Sequence, residues 1–144
     1  MIIKTIKTTK DLKDERHLAF AINEEGIAMA GSAAQALTDK IWPELLEGKK
    51  TKLGTIVERQ VNGNHFYGIC CCYSAIHGWY SNQEELVKQC FDSIDLPNDE
   101  PIVALSIGTE VLDELQGADV EQIYAGLRAS KKHIIVYNPN LKTE

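Results

Sequence analysis

Hydrophobic and polar positions alternate along this chain in runs that predict strands and helices in turn. Pro101 to Ile107 is apolar and rich in β-branched residues, and it closes at Gly108-Thr109. A helical pattern resumes about ten residues later, so the run reads as a strand buried on both faces of an α/β sheet. His17 to Ile22, HLAFAI, is a second central strand, closed by the turn-type cluster Asn23-Glu24-Glu25-Gly26. Ile2, Ile3 and Ile6 suggest a short first strand, and Lys7 to Arg16 a polar loop. Gly54 to Val61 and His65 to Tyr73 flank Asn62-Gly63-Asn64. Asn-Gly supplies the positive φ angles of a type I′ turn, which predicts an antiparallel hairpin. Tyr73 to Tyr80 reads as a loop carrying His77, Gly78 and Trp79, and His133 to Tyr137 as the last strand.

Three helices are predicted from capping residues followed by apolar positions at helical spacing. Ser32-x-x-Gln35 opens a helix from about Ala33 to about Leu46, with Ala34, Leu37, Ile41 and Leu45 on one face. Trp42-Pro43 marks a kink or break inside it. Ser81-x-x-Glu84 opens a second helix to about Ile94, with Leu86, Val87, Cys90, Phe91 and Ile94 inward. Asp119-x-x-Gln122 opens a third, with Val120, Ile123, Tyr124 and Leu127 on one face and an end near Ser130. Asn138 to Glu144 is a tail. The order β, β, α, β-hairpin, α, β, α, β predicts an α/β domain: a three-layer α/β/α arrangement with a mixed sheet of about six strands.

Composition narrows the function. At 144 residues, the length prior gives one domain spanning residues 1–144. A formal net charge of −6 disfavours a broad nucleic-acid-binding surface, which needs a basic stripe. It does not disfavour a small anion held by backbone N–H groups, which carry no formal charge. No apolar run approaches the ~20 residues of a membrane span, and MIIKTIKTTKDLKDER has no apolar stretch after a basic start. A cytoplasmic protein with free thiols is expected.

Ligands of α/β sheets gather at the carboxyl ends of the strands, so the loops after the two central strands carry the candidate chemistry. Gly26 to Ser32 leads from a strand into a helix start. It has two readings: a phosphate cradle of free N–H groups, or a tight turn and cap. Gly108-Thr109 offers a second set of backbone donors, and two such loops at one sheet edge could clamp a diphosphate. Asp113, in the second loop, reads as a general base, an acceptor for sugar hydroxyls, or a solvated acid. Cys70-Cys71-Cys72 lies in a predicted strand, where successive side chains face opposite ways and cannot all ligate one metal. These cysteines read as small buried hydrophobes, and no metal or cofactor is expected. His17, His65 and His133 open strands and read as surface positions.

The segments IVALSIGTEVLDELQGADVEQIYAGLRASKKHIIVY and AFAINEEGIAMAGSAAQAL resemble the macrodomain family. The likeness is to its compact branch of terminal ADP-ribose protein glycohydrolases and ADP-ribose-1″-phosphate phosphatases. It runs from roughly Ile6 to Tyr137. It implies a macrodomain-like fold and an ADP-ribose-like nucleotide as partner. Asp11 would contact adenine. Asn23 would lie in the ligand loop. Gly31 and Ser32 would lie on one side of the diphosphate, Gly108 and Thr109 on the other. Asp113 falls on the acid that is catalytic in the glycohydrolases. The chain departs from the family pattern at Glu110, which replaces the second loop glycine, and at Lys10, which replaces the glycine before the adenine-binding acid. Cys70 to Ser74 contains no lysine where the branch has its catalytic one. Two functions follow as expectations: an ADP-ribose-binding domain able to hydrolyse ADP-ribosyl esters or ADP-ribose phosphate, or a non-catalytic domain serving protein contacts.

Overall fold

The structure is a computed structural model that describes residues 2–4, 15–28, 34–35, 42, 51–71, 73–74, 78–79, 81–109 and 117–137. Its strands are β1 (Ile2–Lys4), β2 (His17–Ala21), β3 (Ile56–Val61), β4 (Asn64–Ile69), β5 (Tyr73–Ser74), β6 (Gly78–Trp79), β7 (Pro101–Leu105) and β8 (His133–Tyr137). Two helices are described in full, α1 (Gln83–Asp92) and α2 (Val120–Ala129). The fold is mixed α/β. Six strands form one sheet in the order β1-β8-β7-β2-β4-β3, and β5 and β6 form a separate small hairpin. All neighbours in the large sheet are parallel except β3 and β4. Among the described residues no helix is long and apolar enough to cross a membrane.

Side-chain alternation divides the central strands between two cores. Ala19 and Ala21, Tyr67 and Ile69, Ile102 and Ala104, and Ile134 and Val136 face one side. There they pack against Leu86, Val87, Cys90 and Phe91 of α1 and Ile123 and Leu127 of α2. Leu18, Phe20, Ile22, Phe66, Val103 and Leu105 face the other side and pack against Ala28, Ala34 and Trp42. Each large aliphatic or aromatic side chain removed from water contributes roughly 1.5–3 kcal/mol, so both faces of β2 and β7 stabilise the sheet. Of the predicted first helix only Ala34 and Gln35 are described as helical; Trp42 is buried and outside helical geometry.

Local details agree with the pattern in places and correct it in others. The hairpin turns at Asn62 and Gly63, both at positive φ (50° and 87°), with Val61 paired to Asn64. This is the two-residue turn expected of Asn-Gly. Asp119 caps α2, its carboxylate accepting from the Gln122 N–H at 3.2 Å. The capping box at Ser81 is not formed. The N-cap of α1 is Asn82, and its side chain makes no capping hydrogen bond. Gln83 points elsewhere, its Oε1 accepting from the Asp119 N–H at 2.8 Å, so the two helix starts are tied to each other. The segment read as a loop from Tyr73 to Tyr80 contains β5 and β6, because two-residue strands are too short to show periodicity. His17 is not a surface position but is 4 % exposed, since β2 is flanked on both sides and its first residue is covered.

Candidate functional site

The sheet has a place where its connections diverge. From β2 the chain proceeds to the β3–β4 hairpin on one side, with β4 returning beside β2; from β7 it proceeds to β8 on the other. The residues after β2 (Ala28, Ala34, Trp42) cover one face, and those after β7 (Ile107, Ala118, Ile123) cover the opposite face. The carboxyl ends of adjacent parallel strands whose connections part in this way leave a crevice, the usual ligand position in open α/β sheets. The candidate site lies at this rim.

The loop after β2 is folded around Asn23. Its side-chain Oδ1 accepts from the N–H groups of Glu25 (2.9 Å) and Ile27 (3.0 Å). Its backbone N–H donates to Ile27 O, and its carbonyl accepts from Gly26 N–H. Gly26 sits at φ +80°, where a side chain would be strained. Asn23 is thus the organiser of the loop, with its carboxamide oxygen committed locally. Ile22 bridges back to Ala28, which closes the loop over the end of β2.

The loop after β7 runs from Ser106 to Thr109, all buried. Ser106 (φ +51°) and Gly108 (φ +98°) both take left-handed backbone conformations. The Ser106 hydroxyl accepts from the Ala34 N–H at 3.2 Å, which joins this loop to the helical turn that follows the β2 loop. Thr109 is 8 % exposed, and among the described residues its Oγ1 is a buried side-chain oxygen with no hydrogen-bond partner. A buried hydroxyl left unsatisfied costs about 1–3 kcal/mol, so this atom marks a place where a partner would be worth having.

Of the residues singled out in the sequence, Gly108 and Thr109 stand together on the β7 loop, and Asn23 stands on the neighbouring β2 loop. Asp11, Gly31, Ser32, Glu110, Asp113 and His77 lie outside the described residues. Sequence reasoning missed Ser106. The signal was a lone hydroxyl residue breaking an apolar run one residue before Ile107-Gly108.

The cysteines are buried as small apolar groups. β4 ends at Ile69, so Cys70 and Cys71 follow the strand instead of lying in it; Cys70 belongs to one core, and Cys71, with Cys90 of α1, to the other. Burial pushes the Cys70 thiol up to about 12. A hydrogen bond with Cys71, with burial behind it, pushes Cys90 up as well. Thiols so displaced are poor nucleophiles and poor metal ligands at neutral pH. Among the described residues no group of three or more His, Cys, Asp or Glu side chains is placed to hold a metal ion.

No family model matches the sequence, and no curated protein matches it. A solved structure described as alphavirus P23pro-zbd is similar in fold, with a TM-score of 0.60 and 13% sequence identity. The likeness covers 94% of this chain and 21% of that one, so the chain spans about a fifth of the length of the structure it matches. At this identity the likeness is one of fold alone, and it agrees with the mixed α/β arrangement described above.

Proposed function

We propose that this chain binds ADP-ribose or a closely related nucleotide at the rim between the β2 and β7 loops. The observation that carries the reading is the Thr109 hydroxyl, buried on the loop after the central strand with no partner among the described residues. A phosphate oxygen is a strong acceptor for such a group and for the backbone N–H groups beside it. The Ala34–Ser106 bond supports the reading, because Gly31 and Ser32 precede Ala34 by only three and two residues in the chain. In this assignment Gly31 and Ser32 serve one side of the diphosphate, and Gly108 and Thr109 the other. Asp11 receives the adenine amino group, and the Asn23 loop borders the ligand. Asp113 engages the distal ribose, and in a turnover version it would act as general base on an ADP-ribosyl ester or a sugar phosphate. The lack of a lysine from Cys70 to Ser74 favours binding over lysine-dependent hydrolysis.

Calorimetry with ADP-ribose, AMP and NAD tests the proposal. Saturable ADP-ribose binding that Asp11→Ala removes is the expected result. Thr109→Val is the sharper probe. It deletes the unpartnered hydroxyl at nearly constant shape, so thermal stability should hold or rise while ADP-ribose affinity falls. No binding at millimolar ligand would refute the reading and leave a domain devoted to protein contacts. Turnover of ADP-ribosylated protein, with Asp113→Ala as control, separates binder from hydrolase.

A further inference from the structure

We infer that Cys71 and Cys90 form a dithiol that a small hydroperoxide converts to a disulfide, so that oxidation fastens α1 to the chain leaving β4. The inference stands apart from the nucleotide reading above. Among the described residues Cys70, Cys71 and Cys90 are free, buried thiols. Cys90 lies on α1, and its Sγ stands 3.6 Å from the Cys70 carbonyl oxygen and 3.8 Å from that of Thr55. The sulfur therefore rests against the peptide unit that joins Cys70 to Cys71. Cys71 belongs to the same core as Cys90, and the two thiols are hydrogen-bonded to each other. Cys70 belongs to the opposite core, where its own Sγ meets Thr51 O at 3.7 Å. The fold thus singles out one pair from three neighbouring thiols.

Both sulfurs are withdrawn from solvent, at 0 % exposure. The thiol–thiol hydrogen bond and burial keep Cys90 protonated at neutral pH, so the first step is slow. Burial also sets the size of the oxidant, and a small neutral hydroperoxide fits that limit. One thiol loses its proton and attacks the peroxide. An S–O bond forms, the O–O bond breaks, and water leaves. The second sulfur, already in contact, then attacks the sulfenic sulfur. The S–S bond forms, the S–O bond breaks, and a second water leaves. Two thiols and one hydrogen peroxide thus give one disulfide and two waters. The ring so closed contains residues 72–89 and joins the end of β4 to α1. Restricting that segment in the unfolded chain favours the folded state. Where glutathione keeps thiols reduced, such a pair stays open until oxidant arrives.

The test incubates the reduced, full chain with hydrogen peroxide in native buffer over hours and maps its peptides without reduction. A peptide linking Cys71 to Cys90 is the expected product. The linked protein should unfold in urea at a midpoint raised by about 1 M, and dithiothreitol added under denaturant should restore the reduced midpoint on refolding. Cys71→Ala and Cys90→Ala should show no such rise after peroxide. If either variant fails to fold, the map of the unaltered chain still decides. Absence of any link, sulfinic acid without a link, or preferential linkage of Cys70 or Cys72 would overturn the dithiol. A link with an unchanged or lowered midpoint would overturn the fastening role, as would an equal rise in either variant. A parallel incubation with oxidised glutathione, a bulkier oxidant, should leave the pair open. An equal rate of linkage with that reagent would overturn the selection for a small oxidant.

Discussion

His17 Nδ1 lies 3.0 Å from the Tyr67 hydroxyl, joining the amino end of β2 to the middle of its parallel neighbour β4 inside the protein. The other ring nitrogen, Nε2, faces Glu100 Oε1 at 3.3 Å, just before β7. The ring stacks on His65 with centroids 4.9 Å apart, and Arg16 stands next to it in the chain. This small polar cluster closes the amino end of the sheet, opposite the candidate site.

A pH dependence follows from it. Burial lowers the His17 pKa below its ordinary 6.5, and the nearby His65 lowers it further, with Glu100 opposing. The folded protein thus resists a proton that the unfolded chain accepts. Stability from this residue is complete above about pH 6.5 and is lost as pH falls from there toward the depressed folded value. Urea denaturation from about pH 7.5 down to about pH 5 should show a falling midpoint. His17→Gln should flatten that slope, and equal slopes in the two proteins would refute the assignment.

Gly126 holds α2 against α1. A Cβ there would lie 2.5 Å from the Glu84 carbonyl oxygen and 3.0 Å from the Val87 Cβ, with backbone rather than a flexible tip in the way. Gly126→Ala should destabilise by about 1–3 kcal/mol through overpacking, despite the better helix propensity of alanine. Chemical denaturation reads this directly, and a neutral or stabilising effect would mean that the helices part easily.

The cysteine environment predicts slow chemistry. Cys70 and Cys90 should resist alkylation by iodoacetamide at about pH 8 in the folded state and react once the protein is denatured. Peptide mapping after a timed pulse distinguishes the two. Prompt labelling of either thiol in the native protein would contradict their burial.

Asp119→Ala should cost about 1 kcal/mol, because the residue caps α2 through the Gln122 N–H. Asn82→Ala should cost less, since the Asn82 side chain makes no capping bond. Comparing the two melts tests whether the cap of α1 comes from its own flanking residue.

Residues with local causes were readable from the chain. The Asn62-Gly63 turn, the Asp119 cap and the inward face of α1 each depend on neighbours within a few positions, and spacing alone reports them. At the candidate site, the same reasoning marked Gly108 and Thr109, because a glycine closing an apolar run has a local meaning. It overlooked Ser106, whose partner is Ala34, and misjudged His17, whose partners are Tyr67 and Glu100.

Periodicity of two and of 3.6 residues, with turn and cap chemistry, determined the strands of the large sheet, the helices α1 and α2 and which of their faces are apolar; the two-residue β5 and β6 were beyond its reach. The divergence of the chain at β2 and β7, the burial of His17 and the fastening of Ala34 to Ser106 were decided only by tertiary packing. The physical reason is the reach of the forces involved. A turn or cap is satisfied within the span of a few peptide units, whereas a buried hydroxyl or imidazole takes whichever partner the packed sheet brings to it, 50 to 72 residues away along the chain.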